Sequence, residues 1–259
     1  MTHEIAGKLT GTLDVLARLE AADITTVGDV LSHGECVRRL PARANYVLRV
    51  GDDTFHVKAN YGRRARPPIP KEAVALGWCH QHAVPTAELA FQGQTAACAI
   101  TATRDLAPAA PLDDVLRAGT LDAAGRARAL RQVAQLTARM HDGGHSHRDL
   151  YLNHLFVDPS DRQSTVRVID VERLRRHRRQ LGRRVIKDLA ALEHSAAPLV
   201  SEGERTRFLV RYLTLRGLPR RGVLPGLIRR IQSKAKRIGA HVPRTPVGAA
   251  ARATAQTDA

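Results

Sequence analysis

The chain has 259 residues, of which 43% are apolar, 25% charged and only 3% aromatic, with a formal net charge of +16. That length and apolar share can bury a substantial core in two lobes. No apolar run reaches the roughly 18 residues of a membrane-spanning helix. Glu4 and Asp14 stand where a secretion signal would be basic and then apolar, so a cytoplasmic protein is expected.

Three cysteines, Cys36, Cys79 and Cys98, lack paired metal spacing and fall in apolar surroundings, which predicts reduced core thiols and no zinc. The positive charge points to anionic partners. With so few aromatics and no helix-turn-helix, zinc-finger or base-stacking strand pattern, nucleic acid is not the expected one. Arginine far outnumbers lysine and alanine is abundant, as a GC-rich coding sequence would produce, so part of the charge is compositional.

In chain order, the segment from Gly34 to Val47 holds one glycine and three arginines, Arg38, Arg39 and Arg43, and reads as a basic hairpin. Thr54 to Asn60 alternates apolar and polar residues as a half-buried strand does, and Lys58 projects from it. After Pro70, Lys71 to His80 reads as a helix with proline in its first turn, opened by Glu72. Ala83 to Leu89 turns into a strand, Thr95 to Thr101 forms another, and Thr103-Arg104-Asp105 forms a hinge or a plain linker before prolines break regular structure. Pro111 to Leu116 predicts a short capped helix. Asp122 to His141 is a long one, with Leu130, Val133, Ala134, Leu136, Thr137 and Met140 at helical spacing and Gly143-Gly144 ending it.

The chemistry concentrates next. His147-Arg148-Asp149 is followed by a short polar loop, the strand-like Leu155-Phe156-Val157, a turn, and Val166 to Ile169 leading into Asp170. This order reads as a phosphotransfer site, because γ-phosphoryl transfer needs an alcohol oriented in line and metal ions that neutralise the phosphates. Asp149 is the candidate acceptor of the alcohol's proton, and Asp170 the candidate Mg²⁺ ligand, since hard cations prefer carboxylate oxygen. His147 and Arg148 complete the catalytic loop as its scaffold. Five residues after Asp149, His154 occupies the position where protein kinases place a metal-binding Asn. Either Asn153 supplies the oxygen or His154 positions by hydrogen bonding, and His154 is the favoured homologous position. Glu172 is a second metal candidate or a surface ion-pair partner. There is no P-loop and no glycine-rich loop.

The combination of HRD-x-Y-x-x-H, Ile169-Asp170-x-x-Arg173 and Arg184-Val185-Ile186-Lys187-Asp188-Leu189-Ala190-Ala191-Leu192 resembles the bacterial lipopolysaccharide core kinase family, from about Gly34 to about Ile238. The resemblance implies an α+β, two-lobed protein-kinase-like fold with a small antiparallel-sheet N-lobe and a mainly helical C-lobe. It implies ATP with Mg²⁺ as donor and a heptose or Kdo hydroxyl of lipopolysaccharide, an anionic glycolipid, as acceptor. It makes Lys58 and Glu72 a phosphate clamp, and Asp188, opening a helix, the buried aspartate that braces the catalytic loop. The alternatives are a small-molecule phosphotransferase of the aminoglycoside or choline kinase type, and a catalytically silent kinase-like binding protein.

The expected organisation is an N-terminal lobe over 1–103 as nucleotide clamp, a C-terminal lobe over 104–241 carrying the catalytic loop, metal site and acceptor side, and a disordered tail over 242–259. The arginines from Arg173 to Arg184 are expected near the acceptor side. Those on two C-terminal helices, Glu202 to Arg216 and Pro225 to Ile238, are expected to allow peripheral contact with the inner face of the cytoplasmic membrane.

Overall fold

The computed structural model describes residues 7–65 and 70–240. The tail expected over 242–259 lies outside the described residues.

The chain opens with β1 (Leu9–Gly11), α1 (Leu13–Ala21) and α2 (Val27–His33), the last closed at its N-terminus by a reciprocal Thr26–Asp29 capping box. Strands β2 (Glu35–Leu40), β3 (Arg43–Val50) and β4 (Asp53–Tyr61) form two successive hairpins. Gly51, at φ +57°, supplies the left-handed residue that the tight β3–β4 turn requires. Helix α3 (Lys71–Gln81) follows, then β5 (Leu89–Gln94) and β6 (Cys98–Arg104). Together the strands make a six-stranded sheet of order β1-β5-β6-β4-β3-β2, and every pairing in it is antiparallel.

Alternation decides what each face of this sheet does. Ala44, Tyr46 and Leu48 of β3 and Phe55, Val57 and Ala59 of β4 point to a core shared with Val15, Leu19, Val27 and Val30 of the two leading helices. Lys58 therefore faces the opposite side, registered between Asn45 of β3 and Thr101 of β6.

The remaining chain is mostly helical. It comprises β7 (Ala110–Pro111), α4 (Leu112–Ala118), α5 (Ala123–Asp142), β8 (His145–Ser146), β9 (Leu155–Val157), β10 (Arg167–Val168), β11 (Arg175–Arg176), α6 (Arg183–Ala196), α7 (Glu202–Leu215) and α8 (Leu224–Gly239). The side chain of Asp122 caps α5 by accepting from the Gly125 N–H at 2.6 Å. The same helix ends at Gly143, where any Cβ would run into the Trp78 ring of α3. A second core joins Val133, Leu136 and Met140 of α5 to Leu150, Leu155 and Val168 around the catalytic loop, and it takes in Leu76 and Cys79 of α3. Helix α3 thus packs its apolar side with the helical half, while its Glu72 meets the sheet. Among the described residues no helix is long and apolar enough to cross a membrane.

Four expectations need correction. Cys36 is exposed, because it lies on the edge strand β2 rather than in the core. Residues 95–97 are a turn, in which the Thr95 hydroxyl accepts from the N–H groups of Ala97 and Cys98, so the strand begins at Cys98 and runs on to Arg104. Asp188 does not open its helix but sits in the second turn of α6, which starts at Arg183. The short helix α4 has no side-chain cap; Pro111 stands at that position.

Candidate active site

The site lies where the sheet meets the helical half. The Lys58 ammonium donates to Glu72 Oε1 at 2.7 Å and to Asp170 Oδ1 at 2.8 Å, tying a strand, a helix and the loop after β10 together through one cation. Burial works against the Lys58 charge, but the two carboxylates outweigh it and hold its pKa above the ordinary lysine value. For Asp170 burial is likewise overcome, here by Lys58, and its carboxyl is held below the usual range. Glu72 is buried, and burial raises its pKa against the pull of Lys58.

Asp170 stands two residues beyond β10 at φ +59°, a left-handed conformation unusual for a residue with a side chain. Its approach is fixed by Thr86, whose hydroxyl donates to the Val168 carbonyl at 2.6 Å, and by the Val168 N–H, which donates to Pro85 at 2.9 Å. A cleft of about 380 Å³ opens beside these groups, lined by Val37, Leu76, Thr101, Phe156 and Ile169 and by the Thr103–Leu106 segment, within the size range of small-ligand sites. A smaller recess brings Arg38 and Arg43 of the β2–β3 hairpin beside Lys58 and Asp170.

The His147–Asp149 loop is built on Asp188. Wholly buried, this carboxylate accepts from the backbone N–H of His147 and of Arg148, both at 2.7 Å, and lies 3.2 Å from His141 Nε2. Arg148 is left-handed at φ +78°, a strained state for arginine, and the bond from its N–H to Asp188 holds it there. His147 is buried beneath the loop with Nε2 3.0 Å from the Ile169 carbonyl, and burial lowers its pKa. Asp149 is ion-paired twice, to Arg173 and, at 3.2 Å, to Lys187. Lys187 also donates to the Arg148 carbonyl.

Of the two candidates for the Asn position, His154 makes a 2.7 Å hydrogen bond from its ring to the Asp149 carbonyl and is close enough to Asp170 to help lower its pKa. Asn153 is exposed and lines neither the cleft nor the recess. Glu172 forms an ion pair with Arg43 at 3.3 Å, linking the hairpin to the loop after Asp170. The sequence motifs contain Arg173 and Lys187 but do not reveal that both pair with Asp149. Adjacent helical positions such as Lys187 and Asp188 point about 100° apart, so both can serve one loop, and their adjacency was the signal available.

Among the described residues no group of three or more His, Cys, Asp or Glu side chains could hold a metal by itself. A single carboxylate suits Mg²⁺, which takes one or two carboxylates and completes its shell with substrate phosphates. Asp170 lines the cleft and could hold it, with His154 near.

A strand lysine paired to a helix glutamate, a braced HRD loop and an aspartate following the next strand pair are arranged as in a protein-kinase-like fold. Residues 49–212 match the model of the lipopolysaccharide kinase (Kdo/WaaP) family, and the chain belongs to that family. Among solved structures the chain is similar to "WaaP in complex with acyl carrier protein", at 23% identity and a TM-score of 0.66, over 89% of this chain and 99% of that one, which shows the shared α+β kinase-like fold. No curated protein matches the chain.

Proposed function

We propose that the chain is an ATP-dependent kinase that phosphorylates a sugar hydroxyl, heptose or Kdo, of lipopolysaccharide core. The observation that carries the reading is Lys58 bridging Glu72 and Asp170 next to a catalytic loop that Asp188 braces at His147 and Arg148. In this reading the sheet lobe over 1–103 clamps the nucleotide and residues 104–241 present the catalytic loop and the acceptor.

Lys58, oriented by Glu72, holds the nucleotide phosphates, and Arg38 and Arg43 cover them in place of a glycine-rich loop. Asp170 with the phosphate oxygens would hold Mg²⁺, which when bound neutralises charge on those oxygens. Asp149 orients the sugar hydroxyl and accepts its proton. Its ion pairs to Arg173 and Lys187 hold the carboxylate in place. Arg173 and Lys187 then stand beside the transferring group and offset its charge. His147 and Arg148 keep the loop in shape.

The cationic acceptor side argues against substrates that are themselves cations, as in the aminoglycoside and choline kinase type. An acyl carrier protein, present in the similar solved structure, is a candidate partner, and peripheral contact with an anionic membrane suits the basic surface.

The test is transfer from γ-labelled ATP to lipopolysaccharide of a strain lacking core phosphate, by the parent protein and by Asp149→Ala, with Kdo and heptose separated afterwards by mild acid. Label in one sugar with the parent alone supports the reading and assigns the acceptor. Nucleotide binding without label in either sugar would refute it.

A further inference from the structure

Beside the catalytic loop lies a second, larger groove of about 830 Å³. Nine of its twelve lining residues are Arg or Lys and none is acidic. Some of these cations hold the fold together: Arg184 donates to the Arg176 carbonyl, and Arg230 to that of Leu181 at 2.9 Å. Five others, Arg175, Arg178, Arg179, Arg183 and Lys234, have no carboxylate partner among the described residues, although other arginines in the chain repeatedly find one.

Two further features point the same way. Helix α6 starts at the groove with Gly182 as an N-cap that offers no side chain and with no acid in its first turn; Arg183 and Arg184 stand there instead. Cations at a helix N-terminus oppose the macrodipole, and free N–H groups there favour an anion. The groove is also mechanically joined to Asp149. Lys187 lines it and pairs with Asp149, Arg148 lines it from the catalytic loop, and Arg175–Arg176 are strand-paired to His145–Ser146 just before that loop.

We propose that this groove is the acceptor's phosphate subsite: the sugar to be modified is held through phosphate groups the acceptor already carries, a few ångströms from the reacting hydroxyl. The proposal rests on the kinase reading above for the identity of the acceptor, but not for the existence of the anion site. A flat membrane contact is disfavoured because the cations converge in a concave groove that opens on the catalytic loop.

The experiment compares the full chain, the Arg178→Gln/Arg179→Gln/Lys234→Gln triple variant and the charge-preserving Arg178→Lys/Arg179→Lys double variant. Inositol hexakisphosphate binding is measured by calorimetry under saturating Mg²⁺ and ADP, which keeps the probe out of the nucleotide cleft. Acceptor KM is measured with delipidated core oligosaccharide that keeps the phosphates of its backbone disaccharide, before and after phosphatase treatment. The expected result is roughly tenfold or greater loss of probe affinity and a similar rise in acceptor KM for the triple variant, unchanged KM for ATP, and substantial retention in the double variant. Dephosphorylating the oligosaccharide should impose the same penalty on the parent and none further on the triple variant.

Unchanged acceptor KM in the triple variant would overturn the proposal while leaving the kinase reading intact. Loss of binding to phosphatidylglycerol vesicles with an unchanged KM for the delipidated oligosaccharide would overturn it in favour of a membrane contact. If no lipopolysaccharide acceptor is labelled but probe binding still depends on the three cations, the anion site stands and the acceptor reading fails.

Discussion

Asp188→Ala should be the most damaging single change outside the reacting groups. The carboxylate is wholly buried and accepts from the His147 and Arg148 N–H groups, each at 2.7 Å. Leaving a buried donor unpaired costs about 1–3 kcal/mol, so two cost roughly 4 kcal/mol. Arg148 would also lose the bond that stabilises its left-handed backbone, at φ +78°. Against a typical domain stability of about 5–15 kcal/mol, the variant should be marginal. Asp188→Asn should fall between, because its amide oxygen can keep one donor while its NH₂ faces the other. Urea unfolding of the three proteins at neutral pH reads this as a drop in midpoint at similar slope. A loss below about 1 kcal/mol for Asp188→Ala would refute the claim that this carboxylate braces the loop.

Lys58→Met leaves buried Glu72 without its cation, which should cost about 2–4 kcal/mol at pH 7. Since burial raises the Glu72 pKa further once Lys58 is gone, that deficit should shrink as pH falls and the carboxyl protonates; urea midpoints at pH 7 and pH 5 that differ from the parent equally would contradict it. Glu204, on Arg126 and in the Ser201 capping box, is lowered to about 2 from an ordinary 4.5, so its stabilisation is present above 4.5 and drains away as pH falls toward 2. Glu204→Gln should therefore be less stable than the parent at neutral pH and converge with it in acid, as thermal melts across that range would show. Arg173→Gln and Lys187→Met should each lower kcat about tenfold to a hundredfold with little change in the KM for ATP, because both contact Asp149 rather than the Lys58 cluster. Arg43→Ala removes a half-exposed ion pair and should cost at most about 1 kcal/mol in stability; steady-state kinetics should instead show a raised KM for ATP.

Much of the architecture was legible because it rests on short-range pattern. The alternation that buries Phe55, Val57 and Ala59 leaves Lys58 on the other face, and the 3.6-residue period of α5 is carried by Val133, Leu136 and Met140. The motif order also marked Lys58, Glu72 and Asp170 as parts of one site, and the structure brings the three side chains together. Other features were hidden for definite reasons. Helix α6 lacks an N-capping side chain at Gly182, so its true start at Arg183 left no mark and Asp188 looked like the opening residue. The pairing of Arg173 and Lys187 with Asp149 depends on how a loop and a helix far apart in sequence converge. Cys36 lies between Glu35 and the arginines of a basic hairpin, and the strand order places that hairpin's first strand on the exposed sheet edge. The leading β1, α1 and α2 carry no chemical motif, although Val15, Leu19, Val27 and Val30 supply much of the sheet's core.

The central claim is that the Lys58, Glu72 and Asp170 cluster is a working Mg²⁺-nucleotide clamp. Calorimetric titration of ATP into the parent protein and into Asp170→Asn, with and without Mg²⁺, tests it most directly. The account predicts that Mg²⁺ strengthens ATP binding to the parent and that this enhancement disappears in Asp170→Asn, with weaker metal-free binding surviving through Lys58. Equal affinity with and without Mg²⁺ in the parent, or an enhancement that persists in Asp170→Asn, would contradict it.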